Sequence, residues 1–546
     1  MAQMSKPWHQ FYPATITRKL NYPRIPLHGF LRQSAICYPN RPAIISYDGE
    51  RAQEGVTLSY RDLDEYSDSF AASLLNLGIN RGDRVAYFMQ NSPEMVIAFF
   101  GVLKAGAVPV PCNPMYRKGE LAYQLADSES RVIICDSQVY PIVSEARKDV
   151  SLEIVVTTGE VAEALSFNEF VAGGSTPLNK SPTIDQQCDL ALLPYTGGTT
   201  GVPKGAMLTH ENMVVNTTQF ARWYNYEPGG EVFISALPLF HIGGITGAMC
   251  VPIAVGGTMI LFPRFHPRGV LQAIQDYRAT RFLGVPTMYI AVLGQKDASK
   301  YNLSTLSHCR TSAASLPAAV KRDFDALVGH EVLIEGYGLT ETSPLTHANP
   351  THRAKECSMG VPLPDTEARI MDPEIGDDEM PQGEVGELVL RGPQVMQGYW
   401  KKPRETAEAI RNGWFYTGDL AYMDEDGYFY IIDRKKDVIN AAGFKVWPRE
   451  VEEVLYCHPW VQMAAVVGKA DSYRGETVKA VVVLNRTCPS LTQDEIRQEL
   501  IDHCRRDLAA YKVPRILEFR ESLPMSAAGK VLRRVLREPS STSAGN

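Results

Sequence analysis

The chain has 546 residues, of which 45% are apolar and 21% are charged, and its formal net charge is -7. This composition is ordinary for a soluble globular protein, and the length predicts about two to four folded units. The weak negative charge excludes the basic surface of a nucleic-acid-binding protein and a polybasic membrane anchor, so we expect no nucleic-acid partner.

Ten cysteines are scattered singly along the chain, without a Cys-x-x-Cys pair or a Cys/His cluster of zinc-binding spacing. This pattern indicates reduced thiols, as in a cytoplasmic protein. Residues 1–13 lack the apolar core of a secretory signal, and residues 543–546 are not a peroxisomal address. We therefore predict a cytoplasmic location. The sequence leaves open peripheral membrane contact and assembly as a homodimer.

The first part of the chain alternates short apolar strands with amphipathic helices, which indicates an α/β layered fold with a largely parallel sheet. The polar stretch 165–187, rich in Gly, Ser, Thr and Pro, predicts a loop. The predicted helices cover 26–36, 94–104 and 118–127, and the predicted strands cover 43–47, 56–59, 85–89, 108–110, 131–135 and 154–158.

A second α/β series follows, with strands over 190–194, 232–236 and 281–285 and helices over about 210–224, 270–277 and 318–327. Residues 242–262 run without a charge for long enough to cross a bilayer. Pro252 and the pair Gly256-Gly257 interrupt this run. We therefore predict a buried helix, a turn and a strand, and we predict no transmembrane segment.

The pattern changes after residue 341, where strands over 368–371, 386–391 and 427–433 alternate as in an antiparallel sheet, with a hairpin turn at 424–427. A small α+β unit begins near Arg434, with helices over 450–456 and 493–508 and strands over 461–468, 478–484 and 515–519. The predicted fold is a large multi-subdomain α/β domain over 1–433, with layered sheets and a small β-barrel-like part. A small mobile α+β domain over 434–538 and a disordered tail over 539–546 follow.

A glycine-rich stretch at 195–205, Tyr-Thr-Gly-Gly-Thr-Thr-Gly-Val-Pro-Lys-Gly, stands between the predicted strand at 190–194 and the helix near His210. Glycines let backbone N–H groups approach an anion, hydroxyls donate to phosphate oxygens, and Lys204 adds a positive charge, so the stretch predicts phosphate binding. A Walker loop is disfavoured because Val202 and Pro203 precede the lysine and Gly205 stands where Ser or Thr is required. A flexible linker is the alternative interpretation.

Further islands of unusual composition follow at wide spacing. Each has an ordinary structural interpretation by itself: a core histidine, a helix cap, a turn aspartate, a solvated charge run or an exposed lysine. Their order and spacing together favour a functional interpretation. The islands are Ala-Leu-Pro-Leu-Phe-His-Ile-Gly-Gly at 236–244, Ile-Glu-Gly-Tyr-Gly-Leu-Thr-Glu-Thr-Ser-Pro at 334–344, Tyr-Thr-Gly-Asp-Leu at 416–420, Asp-Arg-Lys-Lys-Asp at 433–437, Gly-Phe-Lys-Val at 443–446 and Gly-Lys-Val-Leu-Arg-Arg at 529–534.

This set of motifs resembles the adenylate-forming superfamily of acyl-CoA and aryl-CoA synthetases, nonribosomal peptide adenylation domains and firefly luciferase, from about residue 30 to about residue 535. The resemblance implies a large α/β domain with a small mobile carboxy-terminal domain. It also implies a first reaction that joins a carboxylic acid to AMP from ATP and releases pyrophosphate. The branch it resembles most is that of medium- and long-chain fatty-acid–CoA ligases.

The resemblance also implies the roles of individual residues. The triphosphate loop consists of Thr196, Gly197, Gly198, Thr199, Thr200, Gly201 and Lys204. Thr340 donates to the α-phosphate, and Glu341 is expected to hold Mg²⁺, a hard cation that suits a carboxylate. Lys530 is expected to bridge the acyl carboxylate and the α-phosphate. The adenosine and acyl contacts are expected from Gly336, Tyr337 and Gly338 at adenine, Asp419 and Arg434 at ribose, and His241 above the acyl pocket.

The second reaction implied by the resemblance is transfer of the acyl group to coenzyme A. The small domain is expected to rotate at Lys436, which withdraws Lys530 and brings the loop at Gly443 to the site. The expected partners are a small carboxylic acid, ATP and CoA.

The identity of the acid stays open in the sequence. Thr-Ser-Ala-Ala-Ser-Leu at 311–316 stands where Ser-Gly-Ala-Ala-Pro-Leu is usual, so Ser312 and Ser315 would shorten or polarise the acyl tunnel. The main prediction is a fatty acid, and the alternative is an aryl or branched carboxylate. Transfer to a carrier protein, luciferase-like oxidation and a non-catalytic binding protein with the same fold are disfavoured, the last because Glu341, Asp419, Arg434 and Lys530 are all present.

Overall fold

The structure, a computed structural model, describes residues 6–174, 178, 182–196, 202–312, 314–374, 376, 378–441, 443–471, 474–485, 488–526 and 529–537. Layered α/β sheets are followed by a smaller antiparallel sheet and a small α+β unit, which confirms the predicted fold class. The disordered tail predicted at 539–546 lies outside the described residues. The domain boundary at 433/434 stays a prediction.

The amino-terminal part contains a five-stranded parallel sheet in the order β4-β3-β5-β6-β7. Helix α6 corrects the predicted loop over 165–187: Phe167 and Phe170 pack on Phe70, with ring centroids 5.4 and 4.9 Å away, and this burial stabilises a helix within a polar stretch. The elements up to residue 174 are α1 Gly29–Cys37, β1 Pro42–Asp48, β2 Gln53–Ser59, α2 Tyr60–Asn76, β3 Arg84–Phe88, α3 Pro93–Lys104, β4 Val108–Pro111, α4 Lys118–Ser128, β5 Ser130–Cys135, α5 Tyr140–Arg147, β6 Ile154–Thr157, β7 Leu165–Ser166 and α6 Phe167–Ala172.

The middle of the chain builds most of a nine-stranded sheet, in the order β18-β17-β16-β15-β14-β12-β13-β1-β2. Its elements are β8 Leu190–Leu192, β9 Tyr195–Thr196, β10 Lys204–Gly205, β11 Leu208–Thr209, α7 His210–Trp223, β12 Val232–Ser235, α8 Val251–Ala254, β13 Thr258–Leu261, α9 Pro267–Asp276, β14 Arg281–Gly284, α10 Pro286–Leu293, β15 His308–Thr311, α11 Ala318–Val328, β16 Leu333–Gly338, β17 Leu345–Ala348 and β18 Val361–Pro362.

The uncharged run 242–262 forms a π-helical segment, Gly244–Cys250, then α8, a turn and β13, as predicted. No helix among the described residues is long and apolar enough to span a membrane.

The remaining strands form two further five-stranded sheets, and β22 and β23 form the antiparallel hairpin predicted around 424–427. The small unit has its own hydrophobic cluster, which begins at Ile439. The elements are β19 Glu367–Met371, β20 Gly386–Arg391, α12 Pro403–Ala409, β21 Ile410–Arg411, β22 Trp414–Met423, β23 Phe429–Arg434, β24 Ile439–Ala441, β25 Phe444–Val446, α13 Pro448–Tyr456, β26 Val461–Asp471, β27 Gly475–Leu484, α14 Gln493–Asp507, β28 Ile516–Phe519 and α15 Arg533–Arg537.

The parallel strands of the nine-stranded sheet determine where the predicted site residues meet. β12, β14, β15 and β16 run in the same direction, so the segments that follow them emerge at one edge of the sheet. His241 follows β12, Ser312 follows β15, and Thr340 follows β16. The carboxyl ends of parallel strands are where ligands bind in open α/β sheets.

Candidate active site

The two described ends of the glycine-rich stretch form short antiparallel strands, where the sequence predicted a strand-to-helix loop. β9 and β10 pair antiparallel, with Lys204 opposite Thr196. A second short pair, β8 with β11, separates this strand pair from helix α7. Gly197, Gly198, Thr199, Thr200 and Gly201 lie outside the described residues, so the structure shows the two ends of the stretch.

Tyr399 connects this strand pair to the next motif, and it was not predicted from the sequence. Its ring lies 4.2 Å below the Lys204 ammonium, and its hydroxyl donates to Glu341 Oε1 over 2.8 Å. Its backbone also pairs with Ala206, next to β10. The sequence feature that could have indicated Tyr399 is the run Gly-Tyr-Trp at 398–400.

Thr340 and Glu341 lie in a 3₁₀ turn, Thr340–Thr342, directly after β16. Glu341 is 9% exposed, and its backbone carbonyl accepts a 2.8 Å hydrogen bond from the Met396 N–H. Within the described residues no cation forms an ion pair with Glu341, although its carboxylate is buried. A buried carboxylate with one oxygen held by Tyr399 fits the requirements of a hard divalent cation such as Mg²⁺.

Tyr337, Asp419 and Arg434 form a connected group. The Tyr337 hydroxyl donates to Asp419 Oδ2 over 2.6 Å, and Arg434 Nε lies 3.3 Å from Asp419 Oδ1. Asp419 is 5% exposed; burial raises its pKa, and Arg434 and the Tyr337 hydrogen bond oppose this effect. The sequence predicted Asp419 after a tight turn, but it lies within β22, opposite Arg434 in β23.

Gly336 and Gly338 lie in β16, which pairs in parallel with β15 and antiparallel with β17. Gly336 pairs with Ala348 and Gly338 with Leu345. A Cβ on Gly338 would stand 2.0 Å from the Pro344 carbonyl oxygen, so the close approach of β17 requires glycine there. These two glycines therefore hold the backbone on both sides of Tyr337.

Lys530 reaches this group from the small unit. A Cβ on the preceding Gly529 would stand 2.7 Å from Val285 Cγ2, so the lysine segment is pressed against the loop after β14. Burial lowers the pKa of Lys530 to about 8, with Arg434 as the next contribution, while Asp419 and Glu341 act in the opposite direction. The structure thus brings together the cation and both predicted carboxylates.

His241 lies close enough to Lys530 for the charge of the lysine to act on it. Burial lowers the pKa of His241 to about 3, and the charge of Lys530 contributes in the same direction. The Gly243 N–H donates to His241 Nδ1 over 3.2 Å. The imidazole is therefore neutral near pH 7 and carries its proton on Nε2.

Gly443 lies away from this group, whereas Lys436 is close enough to Arg434 and Asp419 for their charges to act on its pKa, which partial burial lowers. Lys436 is exposed in a turn closed by a 2.9 Å hydrogen bond from the Asp437 N–H to the Arg434 carbonyl. Gly443 is exposed between β24 and β25 with a φ of 88°, and its N–H donates to Asn440 Oδ1 over 3.0 Å. The structure does not bring Gly443 to Lys530.

An ion-pair network surrounds the predicted hinge, and the sequence did not predict it either. Arg533 donates to Asp433 Oδ1 over 2.8 Å and to both oxygens of Glu452 over 2.8 and 2.9 Å. Arg537 donates to Asp437 Oδ1 over 2.8 Å. The run 433–437 looked like a solvated charge cluster in the sequence, yet Asp433 and Asp437 are buried.

Comparisons with known proteins agree along nearly the whole chain. The family model of the AMP-binding enzymes matches residues 31–400, and that of the AMP-binding enzyme carboxy-terminal domain matches residues 450–530. The long-chain-fatty-acid–CoA ligase of Bacillus subtilis (strain 168) is 41% identical over 565 aligned positions, which cover 98% of each chain.

Two solved structures share the fold. The anthranilate CoA ligase AuaEII, in complex with anthranoyl-AMP, superposes with a TM-score of 0.86 at 29% identity, covering 96% of this chain and 98% of that one. The ATP-bound MatB from Rhodopseudomonas palustris has a TM-score of 0.83 at 32% identity, covering 94% of this chain and 98% of that one.

Proposed function

From the premise that this chain belongs to the AMP-binding enzyme family and is an AMP-forming acid–CoA ligase, we propose that Lys530 and the residues around it catalyse the adenylation step. The observation that carries this proposal is the meeting of Lys530 with Arg434, Asp419 and Glu341, whose charges all affect its pKa. These residues come from four separate segments of the chain, between residues 341 and 530. No interpretation of Lys530 as an ordinary surface cation accounts for its partial burial among them.

In the proposed reaction a carboxylate oxygen of the acid attacks the α-phosphorus of ATP. The new bond gives acyl-AMP, and the bond from the α-phosphorus to the bridging oxygen breaks to release pyrophosphate. Both reactants are anions, so the main task of the site is to offset their repulsion and to align them. Lys530 contacts both the carboxylate and the α-phosphate in this proposal, and Thr340 donates to the α-phosphate.

The remaining nucleotide contacts are proposed from the family resemblance. Tyr337, with the backbone of Gly336 and Gly338, packs against adenine, and Asp419 accepts from the ribose hydroxyls beside Arg434. Asp419 is suited to this because it is already fixed by two donors. The glycine-rich stretch from Thr196 to Lys204 holds the leaving pyrophosphate in this proposal.

Glu341 is the proposed Mg²⁺ ligand. Its second oxygen is free of the Tyr399 hydrogen bond, and a carboxylate is the ligand type that Mg²⁺ prefers. The metal would offset phosphate charge when bound; Tyr399 would orient the carboxylate toward it.

The second half-reaction is proposed to use a different arrangement. The thiol of CoA attacks the acyl carbonyl and AMP leaves. Rotation at Lys436 withdraws Lys530 and brings the Gly443 loop to the acyl group. The exposed position of Gly443 in the present arrangement fits a loop that serves the other half-reaction.

A medium- or long-chain fatty acid is the proposed substrate, supported by the relative at 41% identity, which is named a long-chain-fatty-acid–CoA ligase. An aryl carboxylate is the second candidate, supported by the anthranilate ligase. Ser312 and Ser315, at the end of β15, are the positions most suited to shape this choice. A cytoplasmic location and a homodimer stay predictions.

The experiment that tests the proposed function is ATP–pyrophosphate exchange that depends on an added acid, followed by CoA thioester formation with the same acid. We expect exchange with a subset of fatty or aryl acids. Absence of exchange with every acid, together with tight ATP binding, would favour a non-catalytic protein that keeps the fold.

A further inference from the structure

Arg310 is a buried cation that the reaction described above does not use. It lies in β15 and is 5% exposed. Among the residues that the structure describes, no carboxylate is within ion-pair distance of its guanidinium. Glu231 is not available as a counter-ion for Arg310, because Arg281 donates to both of its oxygens, at 2.5 and 2.8 Å.

Strand register places Arg310 near the segments that carry the proposed acyl contacts. Arg310 pairs with Leu283 of β14, so both side chains point to the same face of the sheet. Helix α7 and the segment Gly244–Cys250 cover this face: a Cβ on Gly247 would stand 2.4 Å from Leu283 Cδ2 and 3.1 Å from Phe220 Cζ. That segment begins just after His241. β15 ends directly before Ser312.

The contacts of the guanidinium are aromatic. Its carbon lies 3.6 Å from the ring centroid of Phe220 and 4.3 Å from that of Tyr224, both in or next to α7. Cation–π contacts of this kind contribute about 0.5–2 kcal/mol each, whereas removing an unpaired charge from water costs several kcal/mol. The rings therefore orient Arg310 without replacing a counter-ion.

Two more polar groups lie on the helix that covers Arg310. The Thr217 hydroxyl is buried without a hydrogen bond in the described part of the chain, and the Tyr224 hydroxyl interacts with the Arg310 guanidinium but has no acceptor there for its own proton. Thr217, Phe220 and Tyr224 recur at helical spacing, so they share the face of α7 that Arg310 contacts. The Arg310 guanidinium and the hydroxyls of Thr217 and Tyr224 can all donate hydrogen bonds. This set of donors is suited to an anionic oxygen ligand.

We propose that Arg310 binds a second acidic group of the substrate, so that the acid activated by this enzyme carries an anionic group remote from its reacting carboxylate. This inference rests on the proposed adenylation reaction but changes the substrate proposed for it: the carbon skeleton is a chain or a ring, and its far end is a carboxylate where a simple fatty acid has a hydrocarbon. A neutral oxygen acceptor at that end would form weaker hydrogen bonds with the same donors.

The test compares acids in matched pairs that differ in the far end: hexanoate with adipate, decanoate with sebacate, and benzoate with terephthalate. We expect wild-type kcat/KM for pyrophosphate exchange to favour the diacid in at least one pair. Arg310→Met keeps the length and the packing on Phe220 but removes the charge. It should lower kcat/KM for that diacid on the order of 100-fold and raise that for its monoacid partner.

Arg310→Lys retains the charge and should keep part of the preference for the diacid. Arg322→Met is the matched control, because Arg322 is exposed on α11, and it should behave as wild type. Thermal unfolding with and without the preferred diacid adds a measurement that does not need turnover. The diacid should raise the wild-type Tm and leave that of Arg310→Met unchanged.

The outcomes separate this inference from the proposed function. One outcome is that wild type and Arg310→Met both show exchange with monoacids that equals or exceeds exchange with every diacid. This outcome would overturn the role of Arg310 and leave the ligase function intact. A preference for hydroxy- or oxo-acids over diacids would also overturn the anionic assignment. If Arg310→Met does not fold, Arg310→Lys decides: a reduced diacid preference supports the inference, and a diacid preference equal to that of wild type overturns it. Absence of exchange with any acid counts against the proposed function itself.

Discussion

Arg533 Nη1 donates to Asp433 Oδ1 over 2.8 Å, which joins the segment that carries Lys530 to the last buried residue before the predicted hinge. Asp433 also accepts from the Arg449 N–H over 3.2 Å. Arg533 lies three residues after Lys530 and binds Glu452 of α13 with its other nitrogen. The pair therefore crosses the point where the small unit is proposed to rotate, and it holds Lys530 in the site.

Arg533→Gln should weaken this connection and lower acid-dependent pyrophosphate exchange about 10-fold, since truncating one member of a buried charge pair leaves the other unpaired. Thioester formation from supplied acyl-AMP should change little, because Lys530 is proposed to leave for that step. The measurement is the ratio of the two half-reaction rates. Arg534→Gln, at the exposed neighbouring arginine, is the control. Equal losses in both half-reactions would show a general structural role instead.

Lys530→Ala should abolish adenylation while thioester formation from supplied acyl-AMP continues. Removing one preorganised cation from a charged transition state costs about 10²–10³-fold in rate. Single-turnover assays of each half-reaction measure this difference directly. Pyrophosphate exchange that survives the substitution would contradict the role of Lys530.

The pH dependence of adenylation should report the charge of Lys530. Burial, followed by Arg434, lowers its pKa to about 8 in the free enzyme. The ammonium form is the proposed active form, so kcat/KM for exchange should be constant below about pH 8 and should fall by about tenfold per pH unit above it. Lys530→Arg should remove this decline from whatever activity remains, since a guanidinium stays charged. A wild-type profile that is flat up to about pH 10, the range of an ordinary lysine, would count against the assignment.

Tyr399→Phe should raise the Mg²⁺ concentration that gives half-maximal exchange, by several-fold. The hydroxyl holds Glu341 Oε1 at 2.8 Å, and a ligand that loses its orienting partner binds metal more weakly, by about 10-fold or more in known sites. The ring remains, so its contact with Lys204 is retained. Tyr66→Phe, on the exposed face of α2, serves as the control. An unchanged Mg²⁺ dependence would show that the Tyr399 hydroxyl does not orient a metal ligand.

Lys436→Pro should affect the second half-reaction more than the first. Proline fixes φ near about −65°, so the backbone change required for rotation is blocked. The rate of thioester formation from acyl-AMP, divided by the exchange rate, should fall. The same loss in both rates would argue against a hinge at this position.

The sequence by itself determined the α/β layering and most elements, because strands of the parallel sheet are apolar throughout and their periodicity is local. It also indicated the islands around Thr196, Glu341, Asp419 and Lys530, since glycine, hydroxyl and charge at fixed spacing are local features too. The helix within 165–187 could not be predicted in this way, because two phenylalanines packed on a distant ring stabilise it, and composition carries no record of such a contact.

Only the tertiary structure decided which charges act together. Asp433 and Arg533 are both members of charge runs that look solvated in the sequence, and Arg310 looks like one arginine among many. Their burial and their partners arise from strand pairing and helix docking over long separations in the chain. Whether a charge is paired, stacked on aromatic rings or left without a counter-ion depends on the local dielectric and on the neighbours that the fold supplies, and neither is written in the spacing of residues along the chain.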